Sequence, residues 1–286
     1  VTVISPYAFY GAVNLLGIYF GDAVETIGER AFAECINLTG ISIPKAVRTI
    51  GDYAFEVTAG LSNLLTVTFA NNTVLESIGD GAFSGLSSLT EISLPSTLTS
   101  LGNGVFAGCS SLALVTAYNN EHFTVSSGML YSSDFKTLYL YPAVYASASN
   151  PDVNVDSRCT RIVSGAFSFA KISGITLNSV LTLDDRAIDC PNLINFRILA
   201  DGLTFTGSSF ASNVPENIYV RAGNATLLND LQNAFPSAEV KVYDENTWND
   251  SVQYFQNYIY EIYSYEDVVD GAVVTKQGAR ILGSRQ

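Results

Sequence analysis

The most regular feature of the chain is an aromatic residue that returns at an almost constant interval between polar stretches. Steps of 23, 23, 28 and 23 residues separate the members of the series Phe9, Phe32, Phe55, Phe83 and Phe106. An Ala-Phe pair returns once more, after a longer gap, at Ala166-Phe167. A step of this size indicates an array of small units that bury their apolar faces only by stacking on one another.

The unit around Phe32 shows how one repeat should fold. In Ile41-Ser42-Ile43, apolar and polar residues alternate, and this period of two predicts a short strand with Ser42 pointing outward. Pro44 should end the strand, because proline has no amide hydrogen to donate to the next ladder bond. The spacing from Phe32 to Leu38 has a helical rhythm, which predicts a short helical turn on the opposite side.

Stacking of such units predicts a solenoid of about eight repeats, with parallel strands in register and the phenylalanines in an internal ladder. The strand at residues 41–43 should pair with one near residues 67–69. The jump of 61 residues between Phe106 and Phe167 predicts one β-hairpin insertion, which we expect to protrude from a continuous solenoid near residues 118–143.

A specific template connects these positions. It is Ile-Gly-x-x-Ala-Phe-x-x-Cys-x-x-Leu-x-x-Ile-x-Ile-Pro, as it stands from Ile27 to Pro44. This template resembles the BspA-like leucine-rich repeat of mainly bacterial surface proteins, and the resemblance covers roughly residues 1–222. The segment from Asn120 to Ala143 is similar to the hairpin insertion of that family, and Ile218-Tyr219-Val220 to its closing unit. The resemblance implies a leucine-rich-repeat solenoid over residues 1–222.

The same resemblance implies an extracellular or cell-surface location on a bacterium, and attachment to host extracellular-matrix proteins. We therefore expect an extracellular protein-binding module, an adhesin or host-interaction protein that binds macromolecules through the solenoid face. Two alternatives stay open, namely a glycan-binding module and a structural spacer of a larger surface protein.

Residues 223–286 are expected to form a C-terminal cap or extension. The segment Asn224–Ala234 predicts a short helix stopped by Pro236, and Ala238–Tyr243 predicts a strand.

An aromatic-rich segment follows. Apolar residues spaced 4, 3, 4 and 3 apart predict a second, amphipathic helix over the end of the solenoid. They are Trp248, Val252, Phe255, Ile259 and Ile262. Beyond them, Val268–Val274 predict a hairpin around Asp270-Gly271. As an alternative to a cap, the tyrosine-rich outer surface of this segment is a recognition surface.

Charge narrows the range of partners. With 14 basic and 27 acidic residues, the chain has a formal net charge of −13. This excess repels phosphate backbones and anionic lipid surfaces, so a protein partner is favoured over nucleic acid or a membrane surface. No stretch reaches the roughly 18 apolar residues of a membrane-spanning helix.

The sequence offers no catalytic constellation. His122 is the only histidine and lies in the predicted insertion, away from any nucleophile motif. The carboxylates of Asp184-Asp185 are adjacent and point apart, so they do not converge on a bond. The motif Asp152-x-Asn154-x-Asp156 resembles a calcium loop, but Ser157 replaces the turn glycine and Val163 the bidentate glutamate, which favours a solvated loop. We expect no enzyme, no cofactor and no metal site.

The four cysteines also fit a structural role. Cys35, Cys109 and Cys190 occupy the repeat position that Leu86 fills in another unit, and Cys159 occupies a different apolar position. They are expected to be free, buried and unreactive thiols.

The remaining candidate site is the row of residues that point outward from the predicted strands. In chain order these are Tyr19, Ser42, Thr68, Ser93, Thr116, Thr176, Arg197 and Tyr219. The hydroxyls in the middle suit any solvated strand. Exposed aromatic and arginine side chains dominate interfaces, so we expect binding at Tyr19 and especially at Arg197, Tyr219 and Arg221. The insertion offers a second candidate edge, made of His122, Phe123 and Tyr131.

Overall fold

A computed structural model of the chain describes residues 1–58, 61–145, 152–206, 208–210, 214–221, 224–243, 252–255, 258–269 and 272–284. Within these ranges, short strands alternate with tight turns, and the only α-helix is α1 (Ala225–Ala234).

The strands are numbered in chain order. Those before residue 120 are β1 (Val3–Ile4), β2 (Thr26–Ile27), β3 (Gly40–Ile43), β4 (Thr49–Ile50), β5 (Thr66–Phe69), β6 (Ser77–Ile78), β7 (Glu91–Ser93), β8 (Ser100–Leu101) and β9 (Leu114–Thr116). The next are β10 (Phe123–Ser126), β11 (Met129–Ser132), β12 (Thr137–Leu140), β13 (Asp152–Asn154), β14 (Arg161–Ile162), β15 (Phe167–Ser168), β16 (Gly174–Leu177), β17 (Thr182–Leu183) and β18 (Ile188–Asp189). The last are β19 (Asn195–Ile198), β20 (Asn217–Arg221), β21 (Glu239–Tyr243), β22 (Val252–Phe255), β23 (Tyr258–Val269) and β24 (Ala272–Ser284).

Most of these strands stack in parallel, one turn of the chain upon the next. β3 pairs with β5, with Ile41 opposite Val67, which confirms the predicted register. β14 pairs with β17 and β16 pairs with β19 in the same parallel manner. The architecture is the leucine-rich-repeat solenoid that the pattern predicts, with about ten turns instead of about eight.

The repeated phenylalanines form the predicted internal ladder. The ring centroids of Phe32 and Phe55 are 5.2 Å apart and those of Phe55 and Phe83 are 5.5 Å apart, with the planes inclined by 5° and 9°. These separations are close to the spacing of neighbouring strands, so each turn contributes one ring. Tyr141 takes this position in the turn before Phe167, at 5.4 Å, where the template has no phenylalanine. Such substituted turns explain why the sequence shows fewer repeats than the structure has.

In the turns that carry the phenylalanine ladder, successive backbone amides alternate between two kinds of hydrogen bond. One kind lies within a turn, and the other joins neighbouring turns. The amide of Ala31 donates to the carbonyl of Gly28 in its own turn at 3.2 Å, whereas the amide of Phe32 donates to Ala54 in the next turn at 2.7 Å. Arg30, with φ of 49°, has a left-handed backbone that prevents the turn from continuing as a helix. The alternation ties each unit to its neighbour through the backbone.

Glycine follows the buried aliphatic residue in several repeats because the stacked turns leave no room for a side chain. A Cβ on Gly79 would lie 2.6 Å from the backbone nitrogen of Asp52 in the preceding turn. A Cβ on Gly28 would lie 2.7 Å from the carbonyl oxygen of Ile4. The Ile-Gly element of the template is therefore a packing requirement.

The insertion is part of the stack and does not protrude, which corrects the expectation from the sequence. β10 and β11 pair antiparallel, β11 and β12 do likewise, and β12 then pairs in parallel with β14 of the next turn. Leu130 and Leu138 are fully buried. The alternating apolar residues of the insertion supply the face that the neighbouring turns need, so it takes the place of a turn.

The buried core consists of two clusters that meet at the insertion. One extends from Phe20 to Leu140 and the other from Met129 to Phe235, and Tyr139 packs against both. The core is therefore not the single uninterrupted ladder that the repeat pattern suggests, because the insertion divides it.

A helix and a strand follow the last tight turn, as the sequence predicts. The side chain of Asn224 accepts a hydrogen bond from the amide of Leu227 at 3.2 Å and so caps α1, which buries Leu227 and Leu231. Phe235 packs edge-on against Phe210, with ring centroids 5.0 Å apart. β21 pairs in parallel with β20, so the sheet continues beyond α1.

The second predicted helix is wrong, because the aromatic segment forms strands. β22, β23 and β24 make an antiparallel sheet in which Val269 stands opposite Ala272. The segment is rich in tyrosine, isoleucine and valine, which favour strands, and β24 supplies a partner of similar length. Trp248 and the Asp270-Gly271 pair lie outside the described residues.

Candidate functional site

The outward residues of the last parallel strands stand in register on one exposed surface. From β16 to β21, one row consists of Thr176, Arg197, Tyr219 and Lys241. The neighbouring row on the same strands consists of Gly174, Asn195, Asn217 and Glu239. β13 continues both rows with Asn154 and Asp152. We call these two rows, together with Arg221 at the end of β20, the C-terminal face.

The earlier turns present hydroxyls on the same side, as expected. Ser42 stands opposite Thr68 and Ser93 opposite Thr116. The hydroxyl of Thr116 donates to that of Ser93 at 3.0 Å. Tyr19, which the sequence places at the head of this row, lies outside any strand and is 91% exposed. The structure therefore separates Tyr19 from the C-terminal face by several turns.

Tyr219 lies between two cations. The guanidinium carbon of Arg197 is 5.9 Å from the centroid of the Tyr219 ring, and the Nζ of Lys241 is 5.8 Å from it. Both distances are within the reach of a cation–π contact, about 6 Å. Lys241 is itself held by the carboxylate of Glu239 at 3.1 Å and the amide oxygen of Asn217 at 3.4 Å. The ring is consequently fixed in orientation on an exposed surface.

Arg197 and Asp152 face each other across a position without a side chain. The Nη1 of Arg197 lies 3.7 Å from the Oδ2 of Asp152, two strands away, and both side chains are mostly shielded, with 21% and 24% exposed. The strand between them has Gly174 at the crossing, where a Cβ would lie 2.0 Å from the Oδ1 of Asp152. The absence of a side chain at Gly174 lets the carboxylate of Asp152 come close to the backbone of the middle strand.

This ion pair is incompletely hydrogen-bonded. Among the described residues, the Oδ1 of Asp152 is buried and has no hydrogen-bond partner. The separation of 3.7 Å between Arg197 and Asp152 is longer than a hydrogen bond, although a guanidinium can donate five. A buried carboxylate oxygen without a donor is unusual and costs free energy, which sets this pair apart from purely structural ion pairs.

Arg221 extends the C-terminal face at the end of β20. Its Nη1 lies 3.7 Å from the Oδ1 of Asp201, and 43% of its side chain is exposed. Arg197, Arg221 and Lys241 thus each have an acidic neighbour, so the face carries alternating charges and not a uniformly basic patch.

Sequence reasoning missed several members of the face, among them Lys241 and Asp152. The alternation Glu239-Val240-Lys241-Val242 is the signal that places Lys241 in the outward row. The sequence places Asp152 in a calcium-like loop, whereas the structure has it on strand β13. In the same motif, the carboxylate of Asp156 accepts two hydrogen bonds from the guanidinium of Arg158, at 2.9 and 2.8 Å, and one from its backbone amide, and these lower the pKa of Asp156.

The prediction of an exposed binding edge on the insertion is wrong for two of its three residues. Phe123 is 3% exposed and packs edge-on against Tyr139, and Tyr131 is fully buried, where burial raises the pKa of its phenol. Both rings belong to the core, because β10 and β11 turn their apolar residues into the stack. Only His122 remains exposed.

The cysteines are free and buried, as predicted. Burial raises the pKa of Cys109 to about 12 and that of Cys159 to about 11, and it also raises the pKa of Cys190. Thiols with these properties stay protonated and unreactive at neutral pH.

Among the residues that the structure describes, no helix has the length and apolar character that a bilayer crossing requires.

Comparison with known proteins reveals a matching family model and several solved structures of similar fold. The family model for the BspA type leucine rich repeat region matches in six copies over residues 2–133 and 142–239. A leucine rich cell surface protein from Faecalibacterium prausnitzii A2-165 is 20% identical, with a TM-score of 0.56 over 87% of this chain and 78% of that one. The pneumococcal vaccine antigen PcpA is 21% identical, with a TM-score of 0.51 over 77% and 71% of the two chains. No curated protein sequence matches the chain. At these identities, the structural likeness extends to the fold alone.

Proposed function

Because the chain belongs to the BspA-type leucine-rich-repeat family, we propose that it is an extracellular protein-binding module at a bacterial cell surface. In this proposal residues 1–222 carry most of the binding function, and the partner is a host extracellular-matrix protein. Residues 223–286 form a C-terminal extension whose strand β21 adds Lys241 to the C-terminal face. The protein acts by binding and not by catalysis. The similar protein from Faecalibacterium prausnitzii is a cell surface protein, which supports this location.

The observation that carries the proposal is the ion pair of Arg197 and Asp152 beside Tyr219. Structural ion pairs complete their hydrogen bonds inside the fold, whereas this pair leaves donor capacity on Arg197 and a buried oxygen on Asp152 without partners among the described residues. A protein partner that supplies a carbonyl to Arg197 adds charge-assisted hydrogen bonds that the free chain lacks. Tyr219 supplies a rigid aromatic anchor at the same place.

Rigidity strengthens the proposal. Parallel strands hold Arg197, Tyr219 and Lys241 at fixed spacing, and cation–π contacts orient the ring. A preformed surface loses little side-chain freedom on association, which favours affinity. The acidic remainder of the chain steers a partner with basic character toward the surface, and salt screens this attraction.

The test is biolayer interferometry against a panel of purified extracellular-matrix proteins. A variant with Arg197→Ala, Tyr219→Ala and Arg221→Ala should bind the matrix protein that wild type binds, but with an affinity at least about tenfold lower. The reason is that truncation of a dominant interface residue costs about 1.4 kcal/mol or more, which corresponds to about tenfold in affinity. Binding should also weaken as salt rises.

A matched control removes the same residue types elsewhere. Arg158→Ala, Arg186→Ala and Tyr10→Ala change exposed side chains outside the C-terminal face and should leave the affinity unchanged. If wild type binds no matrix protein, the partner class is wrong. If it binds and both triple variants bind equally well, the location is wrong.

A further inference from the structure

A polar groove lies where the edge of the solenoid meets the start of the insertion, away from the residues of the C-terminal face. Its volume is about 480 Å³, within the range of pockets that hold small ligands. Its lining includes Arg48, Glu76, Thr97, Thr99, Glu121 and His122. Among the described lining residues, Val74 is the only apolar one.

One wall of the groove is built by three consecutive turns. The amide of Glu76 donates to the carbonyl of Arg48, and the amide of Thr99 donates to the carbonyl of Glu76, both at 2.9 Å. The three side chains therefore leave the backbone at equivalent positions. Arg48 pairs with Glu76 at 2.5 Å, which fixes the guanidinium and leaves its remaining N–H groups available as donors.

The opposite wall is held in place by the side chain of Asn120. Its amide nitrogen donates to the carbonyls of Pro95 and Leu98, at 2.8 and 2.9 Å. Its oxygen accepts the amides of His122 and Phe123, at 2.7 and 2.9 Å. These four bonds use the full capacity of a carboxamide. Asn120 thus holds its neighbours Asn119 and His122 against the edge of the solenoid, where both line the groove.

The two side chains that follow Asn120 in this wall are available to bind a ligand. Among the described residues, the carboxylate of Glu121 and the imidazole of His122 make no hydrogen bond or ion pair. Together with the hydroxyl of Ser96 and the amide of Asn119, they place donors and acceptors along one wall. Eight of the nine residues that line the groove are polar or charged, which favours a ligand rich in hydrogen-bonding groups over an apolar peptide anchor.

We propose that this groove is a binding site for a neutral oligosaccharide. Sugar hydroxyls both donate and accept, and a carboxylate accepts from two hydroxyls at once, so Glu121 and Glu76 serve as acceptors while Arg48 and His122 donate. The two carboxylates and the net charge of −13 disfavour sialylated or sulfated glycans. The site is independent of the proposed protein-binding face.

The experiment is saturation-transfer difference NMR with three probes: N-acetyllactosamine, its sialylated form, and the N-acetylglucosamine–N-acetylmuramic acid disaccharide with its lactyl carboxyl amidated. The first and third represent the same neutral chemistry from a host and from a bacterial wall, and at least one should saturate. The sialylated probe should bind about tenfold more weakly, which corresponds to about 1.4 kcal/mol.

A double variant, Glu121→Gln with His122→Ala, should lose binding by about tenfold or more while its unfolding curve matches wild type, since neither side chain bonds within the chain. Arg158→Ala is the control and should bind like wild type. The proposal is overturned if neither neutral probe binds, or if the double variant binds them as wild type does. Matrix-protein affinity should be unchanged in the double variant, and a loss there would assign the groove to the protein partner instead.

Discussion

The thiol of Cys109 donates a hydrogen bond to the carbonyl oxygen of Phe83 across 3.2 Å, from one turn of the solenoid to the preceding turn. The same bond recurs from Cys35 to Phe9 and from Cys190 to Phe167. The cysteine position of the repeat is therefore more than an apolar position, because its sulfur provides a donor to the backbone of the aromatic ladder.

Replacement of Cys109 by alanine should destabilise the fold by about 1–3 kcal/mol, since the carbonyl of Phe83 loses a buried donor and the sulfur leaves a small void. Urea unfolding followed by circular dichroism measures the loss. Ser110→Ala, at the neighbouring half-exposed position, is the control. Equal curves for the two variants would show that the thiol bond contributes nothing.

Alkaline pH should destabilise the protein through its buried thiols. Burial raises the pKa of Cys109 from 9.0 to about 12 and that of Cys159 to about 11. Below pH 9.0 both states keep the proton and the contribution is complete. Above it the unfolded thiols ionise first, so stability falls as pH rises toward the folded values. The melting temperature of wild type should drop more steeply over this window than that of a Cys109→Ala/Cys159→Ala variant, and parallel profiles would contradict the assignment.

The centre of the aromatic ladder should be far more sensitive than its end. Phe83→Ala should cost about 3–5 kcal/mol, because it opens a cavity between two stacked rings. Phe9→Ala should cost less, since Phe9 is 40% exposed and stacks at 4.9 Å on Phe32. His122→Ala should leave stability nearly unchanged. Denaturant melts of the three variants measure the free energy of unfolding that each one loses. A loss for Phe9→Ala equal to that for Phe83→Ala would refute the prediction.

The sequence predicts the solenoid because its information is local and repeated. The alternation at Ile41 and Ile43 specifies a strand, and a recurring ring such as Phe55 sets the register between turns. The insertion is different, since alternation alone does not say which way a hairpin faces. Phe123 and Tyr131 are buried because the insertion pairs with the next turn and joins the core clusters, and that is a property of the stack.

The candidate site was predictable only where the repeat is regular. Arg197 and Tyr219 follow from counting positions along successive strands. Asp152 was not predictable as their neighbour, because β13 follows the irregular insertion and its register is fixed by pairing with β16. The ion pair across Gly174 depends on three strands at once, and no local pattern encodes it.

The glycines of this fold should divide into two kinds when they are replaced by alanine. At Gly79, the Cβ would lie 2.6 Å from the backbone nitrogen of Asp52, and a backbone atom in a stacked turn has nowhere to move. Gly79→Ala should therefore cost about 1–3 kcal/mol. At Gly174, the nearest atom is the Oδ1 of Asp152, the far end of a side chain, at 2.0 Å.

That carboxylate has no hydrogen bond to lose among the described residues, so it can rotate into solvent. Relief of a buried, unpaired oxygen offsets the displacement, and Gly174→Ala should change the free energy of unfolding by less than about 1 kcal/mol. The same rotation removes the acid opposite Arg197 and reorients its guanidinium, so affinity for the matrix protein should fall although the fold persists. Urea melts and interferometry on both alanine variants test this pairing of outcomes. A cost at Gly174 as large as at Gly79, with binding retained, would mean that the glycine serves packing and that the Arg197–Asp152 pair is not part of a binding site.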